Sequence, residues 1–132
     1  MNLLIVIPAL VLSAFLAFAF IKAGLHKLRT PDSVLIEGGW GWVKDAPKGS
    51  TKFIGFAEVL GGLGVILSPI AVLFFNFDWA RPLGILAAAG LATIMVLANL
   101  VHLTRKEFKY TWKPGILLLL ASVVSTVLLS QI

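Results

Sequence analysis

The chain contains no cysteine. That excludes a thiol–disulfide mechanism of its own, a thiolate-held metal and an iron–sulfur cluster. Four-helix membrane enzymes that relay disulfides are excluded with them. No disulfide framework exists either, so cysteine usage says nothing about compartment. Charge is scarce too: Asp, Glu, Lys and Arg make up 13% of the 132 residues, against about a quarter in an ordinary soluble domain. No His-x-x-x-His or Glu-x-x-His spacing occurs. A metal site of Glu58, His26 and His102 therefore ranks low, although its donor types suit zinc or iron. A haem between His26 and His102 ranks no higher. No nucleophile–base pair or phosphate loop stands out, so independent catalysis is not the expectation.

What fills the chain is apolar sequence. Hydrophobic residues reach 59% and the mean hydropathy is +1.00. One spanning helix takes about 20 apolar residues, so this length holds four spans and little else. The expectation is an all-α, single-domain integral membrane four-helix bundle. The spans are read at about 3–23, 52–75, 82–103 and 114–132, with Pro114 as a first helical residue. The first segment lacks a basic leader and its apolar stretch is long, so it is read as a span and not as a cleaved signal.

The connections are unequal. Residues 24–51 form a long polar loop, 76–81 a tight turn and 104–113 a short basic loop. Ten of the 11 Lys and Arg fall on one side: Lys22, Lys27, Arg29, Lys44, Lys48 and Lys52 around the first loop, and Arg105, Lys106, Lys109 and Lys113 in the last. Only Arg81 lies opposite. The positive-inside rule then puts both long loops in the cytoplasm and both termini outside. The net charge of +5 is an orientation signal and a fit to anionic headgroups; nucleic acid is not needed to explain it. Within the long loop, Thr30-Pro31 reads as the N-cap and first residue of a short helix ended by Gly38-Gly39. Trp40 and Trp42 follow, suited to the headgroup level. Such a loop is expected to be partly helical and to lie at the interface.

Helices in lipid associate through small residues. Gly61, Gly62 and Gly64 in the second span, and Gly84, Ala88 and Ala92 in the third, are the expected packing surface. The last span has Ser122, Ser125 and Thr126 but no glycine after Gly115, and is expected to be peripheral. Against this apolar background, Glu58 is the only acidic residue inside a long apolar run. A carboxylate there must be paired, protonated or face a polar cavity. Counted along the helix from Lys52, it lies about 9 Å deep. His102 lies about 5 Å deep by the same count, with Asn99 a turn deeper on its face. Lys22 and His26 share a face at the end of the first span, beside Lys27. Glu58, His102, Lys27, Lys22, His26 and Asn99, with Trp40 or Trp42 as a lid, form the candidate ligand site. The alternatives stand beside it: Glu58 as a structural carboxylate paired to Lys22 or Lys27, the histidines as solvated interface residues, and Lys22 and Lys27 as snorkelling end residues.

Several of these segments resemble one family. Gly24-Leu25-His26-Lys27-Leu28 is similar to the Gly-x-x-Lys-Leu element of the DoxX family. The stretch Ile54 to Gly64, closing at Ser68-Pro69, resembles its second-span signature, and Asn99-Leu100-Val101-His102 its third-span histidine. Trp42-Val43-Lys44-Asp45-Ala46-Pro47 is similar to the loop of the DoxX-like branch. The order and spacing of these motifs cover nearly the whole chain. The resemblance implies a four-helix protein of the bacterial inner membrane, with Lys27, Glu58 and His102 as its polar positions, but no reaction of its own. An association with an oxidoreductase is the nearest it comes to an activity. The expected function is an accessory protein binding a lipophilic small molecule, quinone or lipid-like, or a partner membrane protein. A proton-coupled transporter built around Glu58, or a purely structural subunit acting through glycine-rich faces or as a homo-oligomer, are the rivals. No cofactor is fixed by the residues; a quinone is the candidate.

Overall fold

The structure is a computed structural model and describes residues 2–132, with the backbone alone at Phe108 and Tyr110. Six helices follow one another: α1 (Leu3–Arg29), α2 (Asp32–Glu37), α3 (Trp42–Asp45), α4 (Ser50–Phe75), α5 (Ala80–Thr104) and α6 (Phe108–Leu129). Four of them, α1, α4, α5 and α6, are long and apolar enough to cross a membrane. They expose many large apolar side chains, among them Leu4, Phe18, Leu86 and Leu117. Helices satisfy every interior backbone group within the segment, which is why this all-helical composition suits a bilayer.

Local chemistry sets the ends. Asn2 caps α1, its Oδ1 accepting from the Leu4 N–H at 3.0 Å. At the other end of α1 the last carbonyls have no partner along the helix. Lys52 supplies one from α4: its Nζ donates to the carbonyl of Lys27 at 2.6 Å, and also to that of Thr30. Thr30 was expected to cap the next helix. Instead its N–H closes α1 on the His26 carbonyl and its hydroxyl lies 3.4 Å from His26 Nδ1, so Pro31 starts α2 with no side-chain cap. Gly38-Gly39 ends α2 as expected. Gly39 takes a φ of +101°, its N–H bonds the Ile36 carbonyl and the Trp40 N–H bonds that of Leu35, the pairing that a left-handed residue permits at a helix end. The same device closes α5. Lys106 takes a φ of +61°, its N–H bonds the Leu103 carbonyl, and the Glu107 N–H bonds that of His102 at 2.8 Å.

The last helix differs from expectation at its start and in its packing. It begins at Phe108 and carries Pro114 inside it, where a span starting at Pro114 was read. Nor is it peripheral: it packs extensively on α5 and touches α1, with Ser122, Ser125 and Leu129 at 0–1% exposure. Hydroxyls make this possible without glycine. Ser122 and Thr126 donate back to the carbonyls of Leu118 and Ser122 at 2.7 and 2.8 Å, which meets the donors of these two hydroxyls within the helix; the buried Ser125 hydroxyl has no partner among the described residues.

The long helices form two pairs, α1 with α4 and α5 with α6, joined by α4 against α5. The first pair meets backbone to backbone at Gly24 and Gly55. A Cβ on Gly24 would fall 2.5 Å from the Gly55 carbonyl oxygen, and one on Gly55 would fall 2.8 Å from that of Gly24. Gly62 takes the Ile21 side chain in the same interface, 2.7 Å from where a Cβ would stand. Between the pairs, Gly61 receives Leu91, Gly64 receives Ala87 and Gly84 receives Ser68, while Ala88 is fully buried. The Ser68 hydroxyl also donates to the Ala80 carbonyl at 2.7 Å. These joints between the pairs run from mid-helix at Gly61 and Leu91 toward the α4–α5 turn. The core cluster of Leu16, Ala17, Phe20, Val65, Ala88, Leu91, Met95, Ala121 and Leu129 fills that half. Toward the basic loops no such joint draws α4 and α5 together, and a cavity opens there.

Candidate functional site

The cavity has a volume of about 780 Å³ and is lined from all four long helices. Phe20 and Met95 belong both to the core and to its wall. Ala19, Ala23, Ile54, Ala57, Ile94 and Leu118 make the sides apolar. Polar groups gather at the end nearest the basic loops: Lys27, Glu58, Asn99, His102, Glu107 and Thr111. Gly38, Gly39, Trp40 and Trp42 form a roof. This roof is the interfacial segment of α2 and α3, anchored by the buried side chains of Leu35 and Val43. One short helix was expected there; two are present.

Glu58 is 4% exposed, and its Oε1 lies 2.6 Å from Lys27 Nζ. Of the two partners foreseen for it, Lys27 and Lys22, the structure chooses Lys27. The register explains the choice: α1 and α4 run antiparallel, and the Lys27 Cβ lies against Gly55, 2.9 Å from where a Cβ would stand. Glu58 comes about one turn further along α4 on that side, within reach of the long lysine stem. Lys27 Nζ also stands over the Trp40 ring, 5.4 Å from its centroid, an attraction to the aromatic face. Trp40 stacks on Trp42 at 6.3 Å and 24°. A single ammonium thus ties a buried carboxylate to the roof.

His102 faces this pair from α5. Its Nδ1 lies 3.2 Å from Glu107 Oε1, a meeting produced by the turn at Lys106, which folds Glu107 back over the end of α5. Arg105 continues the chain of charges: its Nε is 3.3 Å from the same Oε1, and its Nη1 binds Asp45 of α3. The hydrogen bond to Asp45 raises Arg105 above its ordinary range, and Glu107 raises it further, so this tie between the roof and the α5–α6 turn stays charged. Its guanidinium lies against Gly41, 2.8 Å from where a Cβ would be. Asn99, a turn before His102, donates to the Gly115 carbonyl at 3.2 Å and helps hold α6 to α5.

Six of the eight expected ligand-site residues thus line one cavity: Lys27, Trp40, Trp42, Glu58, Asn99 and His102. Lys22 and His26 do not. Both are exposed. Lys22 folds over Phe18 of its own helix at 5.7 Å, and His26 packs edge-on against Trp40 at 5.4 Å, on the outer side of the roof. Helical spacing explains the difference: Lys22 and His26 share the face beside that of Lys27. Glu107 was missed. Its signal was present, since it is the only acidic residue in the basic segment 104–113. Among the described residues no three His, Asp or Glu side chains gather closely enough to hold a metal ion.

A small all-helical membrane protein with four spans around one polar-ended cavity is the class these features define. Compared with known families, residues 11–124 match the DoxX-like family, and the chain belongs to it. No curated protein and no solved structure matches the chain.

Proposed function

We propose that this DoxX-like membrane protein binds a lipophilic small molecule in the cavity between its helix pairs. The observation that carries the reading is the cavity itself: about 780 Å³, apolar on its sides and polar at one end. Small-molecule sites have this volume and this division between apolar walls and a few placed polar groups. A quinone or a lipid-like molecule fits the division, its headgroup beside Lys27, Glu58 and His102 and its tail among Ala57, Ile94 and Leu97. The basic loops lie on the cytoplasmic side of a bacterial inner membrane and both termini lie outside, since ten of 11 basic residues flank the polar end.

The rivals fare less well. In the transporter reading Glu58 serves as a proton carrier, yet it is engaged at 2.6 Å by Lys27. A structural subunit would present its glycines to a partner, yet Gly61, Gly62 and Gly84 are occupied within the chain; of the glycines in the four long helices, Gly90 alone meets nothing within 4 Å. A partner membrane protein remains the second reading. Phe53, Leu97 and Val101 line the cavity and are also exposed on the flank of the bundle, where a partner's side chain can enter.

Native mass spectrometry of the protein released from mild detergent tests this, with wild type beside Glu58→Gln. A stoichiometric small lipophile lost in the variant supports the reading. A bare protein overturns it, and a co-released subunit transfers the function to the partner.

A further inference from the structure

Resting on that reading, we infer that the headgroup taken by this cavity is uncharged and carries a hydroxyl, which donates its hydrogen to Nε2 of His102. Two independent features of the site point there.

The first is charge. Three charged side chains line the cavity, and each already has an opposite partner: Lys27 with Glu58 at 2.6 Å, and Glu107 with Arg105 at 3.3 Å. Arg105 is held in turn by Asp45. No unpaired charge is left to meet an ionic headgroup. Placing a phosphate or an ammonium beside these pairs would bury a new charge without compensation.

The second is the tautomer of His102. A carboxylate only accepts hydrogen bonds. The contact of Nδ1 with Glu107 Oε1 at 3.2 Å therefore places the ring hydrogen on Nδ1. In the neutral ring the other nitrogen is then an acceptor. His102 lines the cavity, and Nε2 has no hydrogen-bond partner among the described residues. The nearby donors are directed elsewhere: Asn99 gives one amide hydrogen to the Gly115 carbonyl, and the Lys27 ammonium is turned to Glu58 and the Trp40 face. An open acceptor in an apolar cavity selects ligands that bring a donor. Of the candidates above it favours an alcohol-bearing lipid or the hydroxyl form of a quinone, a quinol, over a headgroup that brings only a carbonyl, because two acceptors would then be left facing each other at Nε2. The arrangement resembles a carboxylate-backed histidine that fixes its own tautomer, here used for recognition, with no bond made or broken.

The test is the affinity of a matched pair of probes, a decyl-substituted cyclohexanol and the cyclohexanone of the same skeleton. Each is titrated into the full chain in lipid nanodiscs and followed by tryptophan fluorescence, since Trp40 and Trp42 line the cavity. Wild type should prefer the alcohol by about tenfold, the size of one hydrogen bond made against one refused. Glu107→Gln lets an amide donate to Nδ1 and moves the ring hydrogen to Nε2, so the preference should reverse toward the ketone. His102→Phe should leave the two probes equal. Because both probes partition into the same bilayer, the change in their ratio between variants reports the site alone. Equal binding by wild type, or a preference that survives both substitutions, overturns the hydroxyl assignment and leaves the binding reading standing. Failure of wild type to bind either probe overturns both. Should His102→Phe not fold, the reversal in Glu107→Gln decides alone.

Discussion

The two ends of this bundle are built from the same four helices and behave oppositely. Toward the α4–α5 turn, Gly61, Gly64 and Gly84 let Leu91, Ala87 and Ser68 enter, and α4 and α5 close on each other. Toward the basic loops the facing positions are Ile54, Ala57, Ile94, Ala98 and His102, which line a space. Glycine is not what separates the ends, because Gly24 and Gly55 also lie near the basic end and also make a tight joint. Their joint lies within one pair, α1 with α4. What opens the cavity is that no small-residue joint draws the two pairs together there, while a buried ion pair and a histidine dyad occupy the gap. In lipid there is no hydrophobic force to collapse such a space, so it persists wherever side chains do not fill it.

The largest effect on this division should come from the ion pair. Lys27→Met leaves Glu58 buried without its partner, a loss of about 3–5 kcal/mol. Lys27→Met combined with Glu58→Leu should recover most of it, while the cavity loses its polar end. Denaturation in mixed micelles measures both, and a single variant as stable as wild type would show that the pair is not buried. At the closed end, Gly84→Leu puts a Cβ 2.5 Å from Ser68 Cβ. Overpacking there should cost about 3 kcal/mol, read in the same denaturation series; a loss under about half that would mean that the pairs can separate easily. The smallest effect on stability belongs to the open end. Ala98→Leu adds apolar volume to empty space and should change stability by less than about 1 kcal/mol, yet abolish ligand retention in native mass spectrometry. Unchanged retention would place the ligand elsewhere.

Much of the site could be read along the chain because depth in a helix is arithmetic. Counting residues from the basic ends put Glu58, Asn99 and His102 at one level, and Lys27 joined them. The same counting cannot tell adjacent helix faces apart. Lys22 and His26 stand at a suitable depth and still miss the cavity, since the Gly24–Gly55 contact turns the face of Lys27 toward Glu58. Glu107 escaped because its position depends on a left-handed residue, Lys106, that no glycine or asparagine announces. The burial of α6 escaped for a similar reason: its packing face carries the small serines Ser122 and Ser125, the first of them satisfied on its own helix, and a search for glycine passes over them.

By itself the sequence determined that this is a four-span all-helical membrane protein, which side carries the positive charge, and that Glu58 needs a partner. Those properties follow from length, hydropathy and charge, which each segment carries whatever its neighbours do. Only the tertiary structure decided which lysine answers Glu58, that the helices form two pairs and leave a cavity of about 780 Å³, and that Glu107 turns back to hold His102. Those depend on the rotation of each helix about its own axis, and rotation is settled by side chains meeting across interfaces between segments far apart in the chain.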